Sequence, residues 1–274
     1  MIRTKSIAAK AILAVFLAGS LFAAAACAAP KEIVVAAGNS SIPNSYIEGG
    51  VHKGTEADIW AAIAKKTGLK VSFLTGEFNT LFGYLDSGKA QTVGNTITVN
   101  QKRLDKYIFS EPYAYIPEKL IVHPDRKDLK RLKDINGLVC GYSAGSNGGN
   151  LFNQIAEQQG IKVKMAVFDS SELLDEAFRQ GKVDVMIFAG SEGAYKIKNG
   201  RLKARMVEEN VTIGEKAFPF AKNNPESAAL CQLITKTIQS MKKDGTLKAI
   251  YMKWFDQDFS QPPAGYKSPW NYGK

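Results

Sequence analysis

The chain is poor in the residues that build metal centres and disulfide frameworks: it has 3 cysteines and 2 histidines in 274 residues. One cysteine, Cys27, lies in the N-terminal apolar segment, so only Cys140 and Cys231 remain further along. Two cysteines make no disulfide framework, and His52 and His123 alone make no metal-ligand cluster, so no metal and no cofactor are expected. Nucleotide-phosphate motifs are absent too, with neither GxGxxG nor GxxxxGK[ST] in the chain. Beyond the N-terminus there is no apolar run long enough to span a bilayer.

What is present begins with MIRTKSIAAKAILAVFLAGSLFAAAACAAP, in which Arg3, Lys5 and Lys10 precede an Ala-rich apolar stretch and small residues. This pattern is that of a secretory signal over residues 1–28, since its apolar run of about 16 residues is short for a membrane anchor. Cleavage after Ala28 gives a soluble mature chain. Cleavage before Cys27 leaves a lipid-modifiable cysteine. Three cations and no acid lie in that segment, so its removal lowers the net charge from +10 to +7. Acids are interleaved with the remaining cations, which reads as a solvated basic surface, and no nucleic acid is expected as a partner. With 45% hydrophobic residues the chain can bury a sizeable core.

Apolar periodicity then alternates between strand and helix. KEIVVAAG (31–38) is a buried-type strand, and Thr55 to Thr67 a helix with Thr55 as cap and Gly68 as stop. VSFL, a short helix over 80–87 and a strand over 92–98 complete a βαβαβ block, which implies a parallel sheet with helices on both faces. After the polar LIVHPDRKDLKRLKDING segment the same grammar repeats: strand 138–142, helix 147–159, strand 162–168, helix 170–180 and strand 183–188. Asp169 and Glu172 have capping-box spacing for the second of those helices. Asn224 and Pro225 open a C-terminal helix to Lys243, a second amphipathic run follows, and the Pro/Gly-rich end reads as a flexible or surface-hugging tail.

The motifs TVNQKRLDKYIFSEPY, LIVHPD, LKDINGLVCGYSAGSN, FRQGKVDVMIF and SMKKDGTLKAIYMKWF, in that order, resemble the family-3 extracellular solute-binding proteins of amino-acid ABC importers. The resemblance covers Lys31 to Phe255, and GSNGG with Asn95 is most similar to the cystine-binding branch. It implies a two-lobed α/β periplasmic-binding-protein fold of type II, each lobe a mainly parallel sheet flanked by helices. Two crossover strands, near Ala114–Val122 and Lys216–Ala221, would join the lobes. The expected division is a signal over 1–28, lobe 1 over 29–117, lobe 2 over 118–217, a return to lobe 1 over 218–258, and a tail over 259–274. It further implies a monomer in the periplasm, a small ligand with a carboxylate, an amino acid above all, held between closing lobes, and an ABC permease as partner.

Arg103 offers a planar fork of donors that matches a carboxylate, and Thr98 with the backbone near Thr96 adds donors. On residues alone Arg103 is equally a surface ion pair with Asp105; with the resemblance the carboxylate clamp is expected. Ser146 and the amides of residues 145–148 open a helix whose N-terminus favours an anion. Phe78 falls where the family places a ring against the ligand, with a core phenylalanine as the competing reading. Ser40, Asn95, Ser143 and Asn147 are expected pocket polar groups, or else ordinary turn residues.

The departures from the family pattern concern the ligand's cationic end. The position after the VDVMIF strand, where family members place an Asp for the ammonium, reads Ala189; the acid of the first loop reads Ser40, and its turn aromatic is replaced by Ile42 or Pro43. Burying an ammonium without a partner is costly. Either Glu192 or another acid such as Glu56 supplies the charge, or the ligand is a small carboxylate that is not an amino acid. A few proteins of this fold are cyclohexadienyl or prephenate dehydratases. That chemistry needs a placed general acid, and beyond Glu192 there is no paired-carboxylate or nucleophile–base motif, so no enzyme activity is expected.

Overall fold

The computed structural model describes residues 31–270, with the side chains of Asn147 and Asn150 outside that description. The expected signal segment and Cys27 lie outside the described residues.

The chain starts with β1 (Glu32–Gly38), an apolar strand buried on both faces, then a small antiparallel sheet of β2 (Ser40–Ser41), β3 (Ser45–Glu48) and β4 (Val51–Lys53). Next come α1 (Thr55–Thr67), β5 (Lys70–Gly76), α2 (Leu81–Asp86), β6 (Thr92–Gly94), α3 (Gln101–Lys106) and β7 (Tyr107–Phe109). β1 is central in a parallel β5-β1-β6 sheet. The expected cap Thr55 is instead the first helical residue of α1. The N-cap is Gly54, at φ 117°, where an added Cβ would lie 2.4 Å from the Asn44 carbonyl oxygen. Close backbone approach in a left-handed conformation admits only glycine there.

The long strand β8 (Ala114–Val122) leads into β9 (Val139–Ser143), α4 (Asn147–Gln158), β10 (Lys164–Phe168), α5 (Ser171–Arg179), β11 (Val185–Ala189) and α6 (Gly190–Lys198). β12 (Arg205–Lys216) returns, and β13 (Pro219–Ala221), α7 (Pro225–Lys243) and α8 (Thr246–Phe255) complete the chain. The sheet order is β10-β9-β11-β8-β12, parallel on the β9 side and antiparallel from β11 to β12. The second connecting strand is therefore β12, which ends at Lys216, where the sequence reading had it begin. Pro219–Ala221 is a separate short strand paired with β7. At α5 the cap is Ser170, whose Oγ accepts from Leu173 N, and not Asp169.

Two sets of buried side chains lie on either side of β8 and β12. One gathers Ile33, Trp60, Ile63, Tyr113, Phe218, Leu230 and Ile238 from the first block and from α7, which returns to it. The other gathers Leu120, Cys140, Phe152, Val185 and Val207, with a satellite around Leu174, Phe178 and Met186. β8 contributes to both, Ile116 on one side and Leu120 on the other, and β12 runs antiparallel beside it with Val207 in the second set, so the pair connects two lobes. Cys140 and Cys231 are buried, unlinked and in different lobes. The tail hugs the surface: Phe259 is buried, Tyr115 N donates to its carbonyl, and Tyr266 OH donates to Glu215. Among the described residues no helix is long and apolar enough to cross a membrane.

Candidate functional site

Between the lobes lies a cavity of about 100 Å³ whose floor is the β8–β12 pair. Nine of the residues singled out from sequence line it: Ser40, Phe78, Asn95, Thr96, Thr98, Arg103, Ser143, Ser146 and Glu192. The side chain of the tenth, Asn147, lies outside the described residues.

The lobe 1 wall is the turn from β6 to α3. Asn100 caps α3, its Oδ1 accepting from Arg103 N at 2.9 Å, which fixes Arg103 at the third helical position. Arg103 Nη1 donates to the Thr98 carbonyl at 2.7 Å and Nη2 reaches across the cleft to the Gly145 carbonyl at 3.1 Å. Its guanidinium also sits 4.9 Å from the Phe82 ring centroid. Burial lowers its pKa to about 10, so it stays charged at neutral pH. The remaining N–H groups of the fork have no protein acceptor among the described residues.

Thr96 and Thr98 are engaged differently from the sequence expectation. Thr98 Oγ1 accepts from Lys216 Nζ at 2.6 Å, and its proton has Glu118 Oε1 at 3.4 Å. Thr96 N donates to Glu56 Oε1 at 2.8 Å, so that amide is already used. Thr96 adopts φ 55°, a conformation that a β-branched residue rarely takes and that its bonds to Glu56 hold.

Glu56 lies in the first turn of α1, fully buried, and also accepts from Tyr113 OH at 2.6 Å. Loss of water raises its pKa to about 7, against the lowering effect of those donors. A carboxyl whose folded pKa exceeds its unfolded value of 4.5 contributes stability that is complete below 4.5 and lost as pH rises through about 7. Glu56→Gln keeps an acceptor for Thr96 and Tyr113 and removes that dependence. Urea unfolding at pH 5 and pH 8 should show wild type losing about 2.5 kcal/mol relative to the variant over this range. Parallel pH profiles for the two proteins would contradict it.

Two charged groups on the floor escaped the sequence reading. Lys216 and Glu118 are 1% and 4% exposed and form an ion pair of 2.8 Å. Gly214 and Gly148 leave room for them: an added Cβ would lie 2.9 Å from Lys216 Nζ at the first and 3.3 Å from Glu118 Oε2 at the second. The available signal was parity. In Ala114–Val122 every second residue is buried, and Glu118 falls on the buried side with Ala114 and Ile116.

The lobe 2 wall is the start of α4 with the end of β11 and the first turn of α6. Ser146 is the α4 N-cap, yet its hydroxyl makes no cap bond. Ser143 Oγ, Ser146 Oγ and Asn95 Oδ1 are buried without partners among the described residues, and all three residues line the cavity. Polar atoms left this way lose water and gain nothing unless something polar enters between them. Ala189 lines the cavity as expected from sequence, and Glu192, one turn into α6, lies in the same wall. A wider hollow of about 760 Å³ beside His123, Phe178 and Lys203 is lined by none of the unpartnered atoms. No group of three or more His, Cys, Asp or Glu side chains is placed to hold a metal among the described residues.

The family model described as bacterial extracellular solute-binding proteins, family 3, matches residues 33–257. The probable amino-acid-binding protein YxeM of Bacillus subtilis is 30% identical over 226 residues, 82% of this chain and 84% of that one. The L-cystine-binding protein TcyA of Bacillus subtilis is 27% identical, with 92% of this chain and 99% of that one covered. Among solved structures, an ancestral arginine-binding protein bound to glutamine superimposes with a TM-score of 0.72 at 28% identity, covering 83% of this chain and 99% of that one. The match spans most of the chain, including both walls of the cavity and its floor, and the chain belongs to the bacterial extracellular solute-binding proteins of family 3.

Proposed function

We propose that the protein is the extracytoplasmic receptor of an ABC importer and that it holds a small amino acid in the interlobe cavity, with the ligand carboxylate on Arg103. The observation that carries this is the half-used guanidinium facing Ser143, Ser146 and Asn95, three polar residues with buried unpartnered atoms. A carboxylate replaces the Gly145 contact of Arg103 with charge-assisted bonds, which are stronger than a bond to a neutral carbonyl. The relatives named for amino acids and for L-cystine support the ligand class. Residues 1–28 direct export to the periplasm, with Cys27 as an alternative lipid attachment point. The permease reads the closed form of a monomer.

A second reading, a receptor for a small carboxylate without an ammonium, draws on Ala189, which stands where the usual acid would be. Catalysis has less support, because the two buried lining acids each face a lysine, Glu118 paired with Lys216 and Glu192 with Lys196, and no lining pair has nucleophile–base spacing. A thermal-shift panel of L-amino acids and organic acids on the mature chain tests the proposal, since a ligand that binds only the folded state raises its melting temperature. A rise of several degrees with a small amino acid is expected. A panel with no response, or turnover of prephenate, would overturn it.

A further inference from the structure

The charged groups around the cavity are arranged as poles. Arg103, in lobe 1, is a cation with no carboxylate in bonding range among the described residues. Lys216 and Glu118 on the floor cancel one another. In lobe 2, Lys196 Nζ lies 2.9 Å from Asp175 Oδ2 and 3.1 Å from Glu192 Oε1, so two carboxylates share one ammonium. All three are buried, and this triad carries one net negative charge. Burial disfavours the charged form of Lys196, but Glu192 and Asp175 outweigh it and hold its pKa above the ordinary value. Glu77 and Asp169, the other acids of the lining, are exposed and screened by water.

Glu192 is the member of the triad that faces the cavity; it is 8% exposed, and both its bonds, from Lys196 and from Ser171 Oγ at 3.2 Å, fall on Oε1. Oε2 therefore has no protein partner among the described residues. Asn95, 5% exposed, lines the same cavity with its Oδ1 unpartnered, so the site presents acceptors as well as donors. Resting on the reading above, we infer that the Asp175–Lys196–Glu192 triad is the negative pole of the site and that Glu192 accepts the ligand's ammonium in place of the acid missing at Ala189. The cavity then selects a net-neutral zwitterion. Asp175 never touches the ligand; it is a positioning residue that keeps Lys196 from neutralising Glu192 outright.

The test uses the twenty common L-amino acids, each paired with its 2-hydroxy-acid counterpart where one exists, in titrations of wild type, Glu192→Gln, Asp175→Asn and Arg103→Ala. Wild type should prefer the amino acid of the best-bound pair. In Glu192→Gln that preference should fall on the order of 50-fold, the size of one charge-assisted bond, and in Asp175→Asn by about 10-fold, with hydroxy-acid affinity held in both. Arg103→Ala should lose both members of the pair. Equal loss of both members in Glu192→Gln, or an unchanged preference, would overturn the inference. Hydroxy acids bound as well as amino acids by wild type would overturn it and leave the receptor reading standing; no binding by any member would sink the receptor reading itself.

Discussion

Alanine in place of Arg103 should weaken ligand binding by about 3–5 kcal/mol, on the order of 10²- to 10⁴-fold, with little change in melting temperature of the unliganded protein. The asymmetry follows from where its bonds go. In the free protein Arg103 donates to two neutral backbone carbonyls, Thr98 and Gly145, and such bonds contribute modestly. In the complex the same fork would hold a carboxylate inside a cavity with little water, where removal of one charge strands the other. Titration calorimetry with the best thermal-shift hit measures the first quantity and unfolding of the free variant the second. Binding by Arg103→Ala within threefold of wild type would show that the carboxylate, or the ligand, is held elsewhere.

Methionine in place of Lys216 should have the larger effect on stability, about 3–5 kcal/mol and about 10 °C in melting temperature. Glu118 would be left as an unpaired carboxylate, 4% exposed, at the junction of the two connecting strands. Thr98 Oγ1 would lose its closest donor as well. Adding Glu118→Gln to Lys216→Met should recover most of the loss, because the cost lies in the stranded charge and not in the missing bond. Chemical denaturation of the single and double variants checks this. A single variant as stable as wild type, or a double variant worse than the single, would mean that the pair is not a closed unit.

How far these features could be read in advance depended on whether the signal was local. The strand pattern of β1, the glycine after α1 and the Asn224–Pro225 start of α7 are decided by neighbouring residues, and they stand where periodicity placed them. Arg103 itself was singled out for its donor fork and the family resemblance, whereas the Asn100 cap that fixes it, though a local geometry three residues ahead, was not read. Asp169 and Ser170 show the limit of this, since two adjacent residues could cap α5 and the choice fell to the serine. Glu118 and Lys216 are 98 residues apart, and their pairing needs the β8–β12 register, which a single strand does not disclose. The triad divides the same way. Glu192 and Lys196 are four apart on one helix, but Asp175 joins them from α5, and without it the local pair looks neutral. Thr96 at positive φ was not foreseen, because the force that holds it comes from Glu56, 40 residues earlier.

The most direct test of the whole account is a crystal structure of the mature protein with the amino acid that gives the largest thermal shift. The account predicts the ligand between the lobes, its carboxylate within hydrogen-bond distance of the Arg103 guanidinium and its ammonium on Glu192, with the Lys216–Glu118 pair intact beneath it. A ligand seated in the hollow beside His123 and Lys203, or lying in the cleft with its carboxylate turned away from Arg103, would contradict it.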